Sequence, residues 1–115
     1  MTTYGLRSLA ADHDAYVGNY MGDRAQRDGA YHQGSVWPWL LGAYVDAELR
    51  LSGDPELIRA RLRPAAHHLR DAGLGSVSEI FEGDVPHQPR GAIAQAWSVA
   101  EILRIWRMLE SSSSS

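Results

Sequence analysis

The 115-residue sequence contains no cysteine and no lysine. Without cysteine the chain can form no disulfide and has no thiol chemistry, so cysteine usage indicates no redox compartment. No apolar run approaches the roughly 20 residues that a membrane-spanning helix needs. No apolar signal-peptide segment follows Met1 either. The sequence therefore predicts a cytoplasmic protein with no membrane partner.

Excess charge of one sign is also missing. The formal net charge of −3 gives no electrostatic reason to expect nucleic acid as a partner. The five histidines include no pair spaced to meet on one helix face, so we expect no metal site and no other cofactor. A hydrophobic content of 44% and a charged content of 22% are typical of a soluble globular protein. The length fits one domain.

Apolar periodicity predicts three helices and two long irregular segments, and therefore an all-α fold. We expect the helices over residues 35–51, 55–71 and 92–109. Residues 4–33 and 73–91 show neither helical nor strand periodicity and are expected to be loops. Irregular segments of this length inside a compact domain tend to be functional.

Cap and proline positions define the ends of the first two helices. Ser35 is the expected N-cap of the first helix, and Gly53 lies just past its end. Asp54 is the expected N-cap of the second helix, with Pro55 at its first position. Pro64 is expected to kink the second helix or to split it in two.

The third predicted helix carries apolar residues around most of its circumference, which is more than a single packing face can bury. Three helices with this much apolar surface do not look self-sufficient. Either neighbouring chains complete the core, or the chain is a piece of a larger helical domain. We therefore expect this chain to self-associate.

Residues 28–39 place aromatic and amide side chains on one glycine-bounded turn. Aromatic faces pack on the C–H faces of a sugar ring, and amide and imidazole groups pair with its hydroxyls, so the turn predicts a carbohydrate pocket. The candidate substrate-binding residues are Tyr31, His32, Gln33, Trp37 and Trp39. In the alternative interpretation, the two tryptophans are core residues, and His32 and Gln33 cap the first helix.

Three blocks of sequence carry a family resemblance. They are Tyr-His-Gln-Gly at 31–34 with Trp-Pro-Trp at 37–39, Gly-Ser-Val-Ser-Glu-Ile-Phe-Glu-Gly at 75–83, and Gln-Ala-Trp-Ser at 95–98. In order and spacing they resemble the C-terminal end of the amylo-α-1,6-glucosidase domain of glycogen debranching enzymes. The resemblance implies that residues 1–110 form the last quarter or so of an (α/α)6 toroid, followed by a disordered serine tail at 111–115.

The resemblance also implies a reaction, the inverting hydrolysis of α-1,6-linked glucose at a branch stub of an α-glucan such as glycogen or limit dextrin. Inversion requires an acid and a base, two carboxyl groups about 6.5 to 9.5 Å apart. Glu79 falls at the position of the family's general base, and Glu82 and Asp84 are its more exposed-looking rivals. The family's acid lies in an upstream segment that this sequence does not contain. We therefore expect the isolated chain to be inactive.

Two alternatives remain open at this point. Trp97 could line the glucose subsite, but its place within a helix favours a core position. A chain of this kind could also be a non-catalytic helical module that oligomerises or binds α-glucan. Within the hydrolases, the Ser-Glu-Ile-Phe block together with Gln-Ala-Trp-Ser favours debranching over other enzymes of the same toroid.

Overall fold

A computed structural model describes residues 2, 4–68 and 75–113, which form four α-helices and a four-stranded antiparallel sheet. The helices are α1 (Arg24–His32), α2 (Leu41–Ser52), α3 (Pro55–His68) and α4 (Ala96–Ser113), and a short 3₁₀ helix covers Pro38–Leu40. The strands are β1 (Leu6–Arg7), β2 (Val36–Trp37), β3 (Ile80–Phe81) and β4 (Pro89–Arg90). The fold is mixed α/β, so the predicted all-α fold of three helices in a partial toroid is wrong.

The sheet has the order β1-β2-β3-β4. Leu6 lies opposite Trp37, and Val36 lies opposite Phe81. Each strand is only two residues long, too short for the alternation of apolar and polar residues that indicates a strand. For this reason residues 4–33 and 73–91 were expected to be entirely irregular, although they contain three of the four strands.

The N-terminal end of the predicted first helix is extended rather than helical. Trp37 precedes Pro38, and the proline ring disfavours helical backbone at the residue before it. Trp37 accordingly has φ −114° and ψ 108° and belongs to β2. Ser35 is therefore not a helix N-cap; its hydroxyl donates to the carbonyl of Ala30 at 2.9 Å. The α-helix begins only at Leu41.

Helix α1 lies inside the predicted loop over residues 4–33. The side chain of Asp23 accepts from the backbone N–H of Gln26 at 2.9 Å, and the side chain of Gln26 accepts from the backbone N–H of Asp23 at 2.9 Å. This reciprocal pair is a capping box, which stabilises the first turn. Only Ala30 of α1 is buried, so the helix has almost no apolar face for periodicity to detect.

The junction of α2 and α3 follows the sequence prediction. Gly53 has φ +64° and ends α2, and Pro55 begins α3. The carboxylate of Asp54 accepts from the backbone N–H groups of Glu56 and Leu57 at 3.0 and 3.1 Å, which confirms it as the cap. Helix α3 is not split, because it continues through Pro64. The end predicted at residue 71 lies outside the described residues.

Helix α4 begins four residues later than predicted, at Ala96, and continues through Ser113. The first three serines of the predicted tail are thus helical, and residues 114–115 lie outside the described ones. Leu103 on this helix is 58% exposed. The expected self-association of the chain stays a prediction. None of the helices in the described part of the chain is both long and apolar enough to cross a membrane.

The core lies between α2, α3 and α4. Its buried members are Leu41, Val45, Ile58, Leu62, Ile105 and Leu109. Arg104 of α4 adds a charged contact to α2, donating to Asp46 at 3.0 Å, and Arg59 of α3 donates to the carbonyl of Leu109 at 2.7 Å. Strand β2 connects the sheet to this core, because the 3₁₀ helix and α2 follow it directly along the chain.

Replacing Leu109 by alanine should lower the free energy of unfolding by about 2 to 5 kcal/mol, because it leaves a cavity at a side chain with 0% exposure. The matched control is Leu103→Ala on the same helix, which should cost about 0.5 kcal/mol or less. Urea unfolding of both variants measures the difference. Equal losses would contradict the core assignment.

Candidate functional site

A pocket of about 400 Å³ opens beside β2. Its walls come from β2, the 3₁₀ helix, the end of α1, the start of α4 and the segment after β1. The lining residues are Ser8, Tyr31, His32, Trp37, Trp39, Leu40 and Trp97. Four of the five predicted substrate-binding residues therefore meet at one pocket.

Two aromatic pairs shape the pocket. The rings of Tyr31 and Trp37 meet edge to face, with centroids 4.4 Å apart and planes at 78°. The rings of Trp39 and Trp97 stack, with centroids 5.3 Å apart and planes at 25°. Trp39 is 36% exposed and Trp97 is 48% exposed, whereas Trp37 is only 9% exposed. The expectation of a core position for Trp97 is therefore wrong.

Gln33 is the candidate that the pocket leaves out. It is the C-cap residue of α1, and its backbone N–H donates to the carbonyl of Ala30 at 3.3 Å. Its side chain is exposed and runs beside Gly29, where an added Cβ would stand 3.7 Å from the amide oxygen. Gln33 therefore ends α1, a helix that the sequence did not predict, and it does not cap the predicted helix over residues 35–51 as the alternative interpretation expects. His32 is exposed and lines the pocket.

Glu79 lies directly before β3, and its carboxylate is held against the pocket wall. The hydroxyl of Tyr31 donates to Oε1, and the backbone N–H of Ala92 donates to Oε2 at 3.0 Å. The backbone N–H of Glu79 in turn donates to the carbonyl of Ala92 at 2.9 Å. Each carboxylate oxygen has two lone pairs, so both can still accept a further hydrogen bond, for example from water.

The environment of Tyr31 keeps its phenol protonated. Burial, followed by the hydrogen bond to Glu79 and the negative charge of that carboxylate, raises the pKa of Tyr31 to about 12. The ring of Tyr20, with its centroid 6.3 Å away, is a further neighbour. Tyr31 is therefore a hydrogen-bond donor to Glu79 at every pH below the ordinary range of tyrosine ionisation.

The two rival carboxylates have other partners. Glu82 is only 6% exposed, contrary to its exposed-looking sequence context, and its Oε1 accepts from Nε of Arg90 at 3.1 Å. Asp84 is exposed and accepts from the hydroxyl of Tyr16 at 3.0 Å. Burial, together with that hydrogen bond, raises the pKa of Tyr16. None of the three carboxylates lines the pocket itself, but Glu79 accepts a hydrogen bond from the lining residue Tyr31.

Sequence reasoning missed the backbone N–H of Ala92, because a backbone donor leaves no signal in residue types. Ser8 was missed as well, since it lies in a segment without periodicity. Among the described residues, no three His, Asp or Glu side chains group closely enough to hold a metal ion.

The chain was compared with known proteins. A model of the family described as amylo-alpha-1,6-glucosidase matches residues 1–104. This range contains the pocket, Glu79 and both segments that hydrogen-bond to it. No curated protein and no solved structure matches the chain.

The raised pKa of Tyr31 predicts a fall in stability at alkaline pH. Between pH 10 and about 12 the unfolded chain loses the Tyr31 proton while the folded chain keeps it, so the free energy of unfolding decreases as the pH rises through this window. Tyr31→Phe should lose less stability over the same window than the parent. Denaturant unfolding at several pH values measures the free energy of unfolding of both proteins. An equal decrease in the parent and in Tyr31→Phe would contradict the prediction.

Proposed function

The chain belongs to the amylo-α-1,6-glucosidase family, and on that premise we propose that it supplies the general base and the glucose pocket for hydrolysis of α-1,6-linked glucose at α-glucan branch stubs. The observation that carries the proposal is the position of Glu79. Its carboxylate is hydrogen-bonded to Tyr31, a residue that lines an aromatic pocket of about 400 Å³.

The pocket suits a single sugar ring. Trp39 and Trp97 present partly exposed aromatic faces on which the C–H face of a pyranose packs. The imidazole of His32 lies at the wall as a hydrogen-bonding group for sugar hydroxyls. The oxygen of the Ser8 hydroxyl accepts from the backbone N–H of Gly34 at 2.9 Å, and its hydrogen can still be donated to a sugar. A mostly apolar cleft with a few polar groups is typical of small-molecule sites.

In the proposed reaction Glu79 removes a proton from a water molecule. The water oxygen forms a bond to the anomeric carbon while the bond from that carbon to the leaving oxygen breaks, and the configuration inverts. A carboxylic acid on the other face of the sugar gives its proton to the leaving oxygen. We propose that this acid comes from outside the 115-residue sequence, as the family resemblance implies.

Glu79 fits the role of base better than its neighbours do. Glu82 faces the guanidinium of Arg90, so taking up a proton would disrupt a mostly buried ion pair. Asp84 is tied to Tyr16 on an exposed part of the chain. Glu79 is the carboxylate whose partner, Tyr31, also forms the pocket wall.

Glu79→Gln should lower kcat by about 10² to 10⁴, with KM nearly unchanged, because it removes the basic charge but keeps the size of the side chain. The assay measures glucose release from an α-1,6-branched limit dextrin by the full-length gene product. Asp84→Asn is the matched control: it also neutralises a carboxylate bonded to a tyrosine, and it should keep the parent rate.

Two results would overturn the assignment. The first is that Glu79→Gln keeps a kcat within about threefold of the parent while Asp84→Asn or Glu82→Gln is inactive. Because Glu82 is buried in an ion pair, thermal unfolding of Glu82→Gln must separate loss of activity from loss of fold. The other is hydrolysis by the isolated 115-residue chain at the full-length rate, which would contradict the need for a second carboxyl group.

Glucose or isomaltose should quench the tryptophan fluorescence of this chain saturably at millimolar concentrations, because sugar packs against the stacked pair of Trp39 and Trp97. Trp39→Phe should remove most of the change. Trp106→Phe is the control, since Trp106 is 39% exposed but pairs with Glu110 away from the pocket. An equal response in both variants would exclude Trp39 from the sugar site.

A further inference from the structure

The sequence predicts that Tyr31 contacts the sugar, but its hydroxyl is hydrogen-bonded to Glu79, which indicates a different role. We infer that Tyr31 is a positioning residue, which acts with the backbone N–H of Ala92 as a two-donor clamp on the carboxylate of Glu79. The inference rests on the proposed function, because it concerns the orientation of the proposed base.

The clamp fixes the plane of the carboxylate. The terminal torsion of a glutamate side chain is soft and covers a broad range when the group has no partners. A carboxylate with a single donor could still rotate about that hydrogen bond. Here Tyr31 donates to Oε1 and Ala92 donates to Oε2, so both oxygens are fixed. Ala92 is itself fixed relative to Glu79, since its carbonyl accepts from the backbone N–H of Glu79 at 2.9 Å.

Tyr31 is held in place by the elements around it. It lies near the end of α1, its ring meets Trp37 edge to face at 4.4 Å, and it meets His32 at 5.2 Å with planes at 85°. Trp37 belongs to the inner strand β2 and is almost fully buried. A phenol has a single hydrogen to donate, and Glu79 accepts it, so that hydrogen is not available to a sugar hydroxyl.

Gly91 makes the second half of the clamp possible. It has φ +67°, and a Cβ at this position would stand 2.5 Å from Oε2 of Glu79. Gly53 provides a natural comparison, because its φ of +64° is nearly the same but a Cβ there would meet nothing within 4 Å. An alanine at either position is strained, and at Gly91 it also displaces the carboxylate.

The first test needs no turnover. In Glu79→Gln the pKa of Tyr31 should fall below its value of about 12 but stay above the ordinary value, because burial is the largest cause of the shift and remains. Asp84→Asn should leave the titration of Tyr31 unchanged. Tyr31→Phe should keep the dissociation constant for glucose within about twofold. An unchanged Tyr31 titration in Glu79→Gln, or a tenfold weaker affinity in Tyr31→Phe, would overturn the inference.

The second test separates kcat from KM in the full-length gene product. Tyr31→Phe should lower kcat about 10- to 100-fold with KM unchanged, because a misdirected base loses rate and not affinity. Tyr16→Phe removes the same type of phenol-to-carboxylate bond outside the pocket and should keep the parent kcat. Gly91→Ala should lose more kcat than Gly53→Ala. Equal kcat in these two glycine variants would contradict the clamp.

A double variant distinguishes failure of this inference from failure of the proposed function. If Tyr31 acts through Glu79, then Tyr31→Phe with Glu79→Gln is no slower than Glu79→Gln alone. Losses that multiply would show that Tyr31 acts independently and would overturn the clamp only. A parent rate in Glu79→Gln itself would overturn the proposed base, and the titration of Tyr31 would then still report whether the hydrogen bond exists.

Discussion

The extended backbone at Trp37 is the constraint on which the rest of the structure depends. Pro38 disfavours helix at the residue before it, and so the chain enters its first long helix from a strand. That strand pairs with Leu6 on one side and with Phe81 on the other, and its tryptophan packs against Tyr31. The proline thus favours the strand that lies between β1 and β3 and carries the tryptophan beside Tyr31.

Three carboxylates lie within six residues of sequence, and each has different hydrogen-bonding partners. Glu79 faces a neutral phenol and a backbone N–H, Glu82 faces a guanidinium, and Asp84 faces solvent and a second phenol. The charge of a carboxylate paired with a guanidinium is balanced by that partner, whereas Glu79 is bonded to two neutral donors. Glu79 lies directly before β3, whereas Glu82 and Asp84 follow it, so the three side chains stand at different places relative to the sheet.

Local rules predicted those parts of the fold that depend on neighbouring residues. Gly53 and Asp54 end one helix and start the next as expected, and the three sequence blocks indicated the family that the comparison supports. Two-residue strands have no pattern of their own, since their pairing depends on residues far along the chain. Four of five candidate pocket residues were found from composition, while the exposure of Trp97 and the backbone donor of Ala92 depend on tertiary structure.

The contacts of the site span large separations along the chain. Tyr31 and Glu79 are 48 residues apart, and the Nε of Arg7 donates to the carbonyl of Gly83 across 76 residues. Closing such loops costs more entropy than closing the short turn between α2 and α3. Segments closed in this way tend to open more readily than a helical core. Ser8, Tyr31 and Trp97 are far apart along the chain and all line the pocket. A ligand that fills the pocket therefore binds the closed arrangement, so its binding and closure of the chain should favour each other.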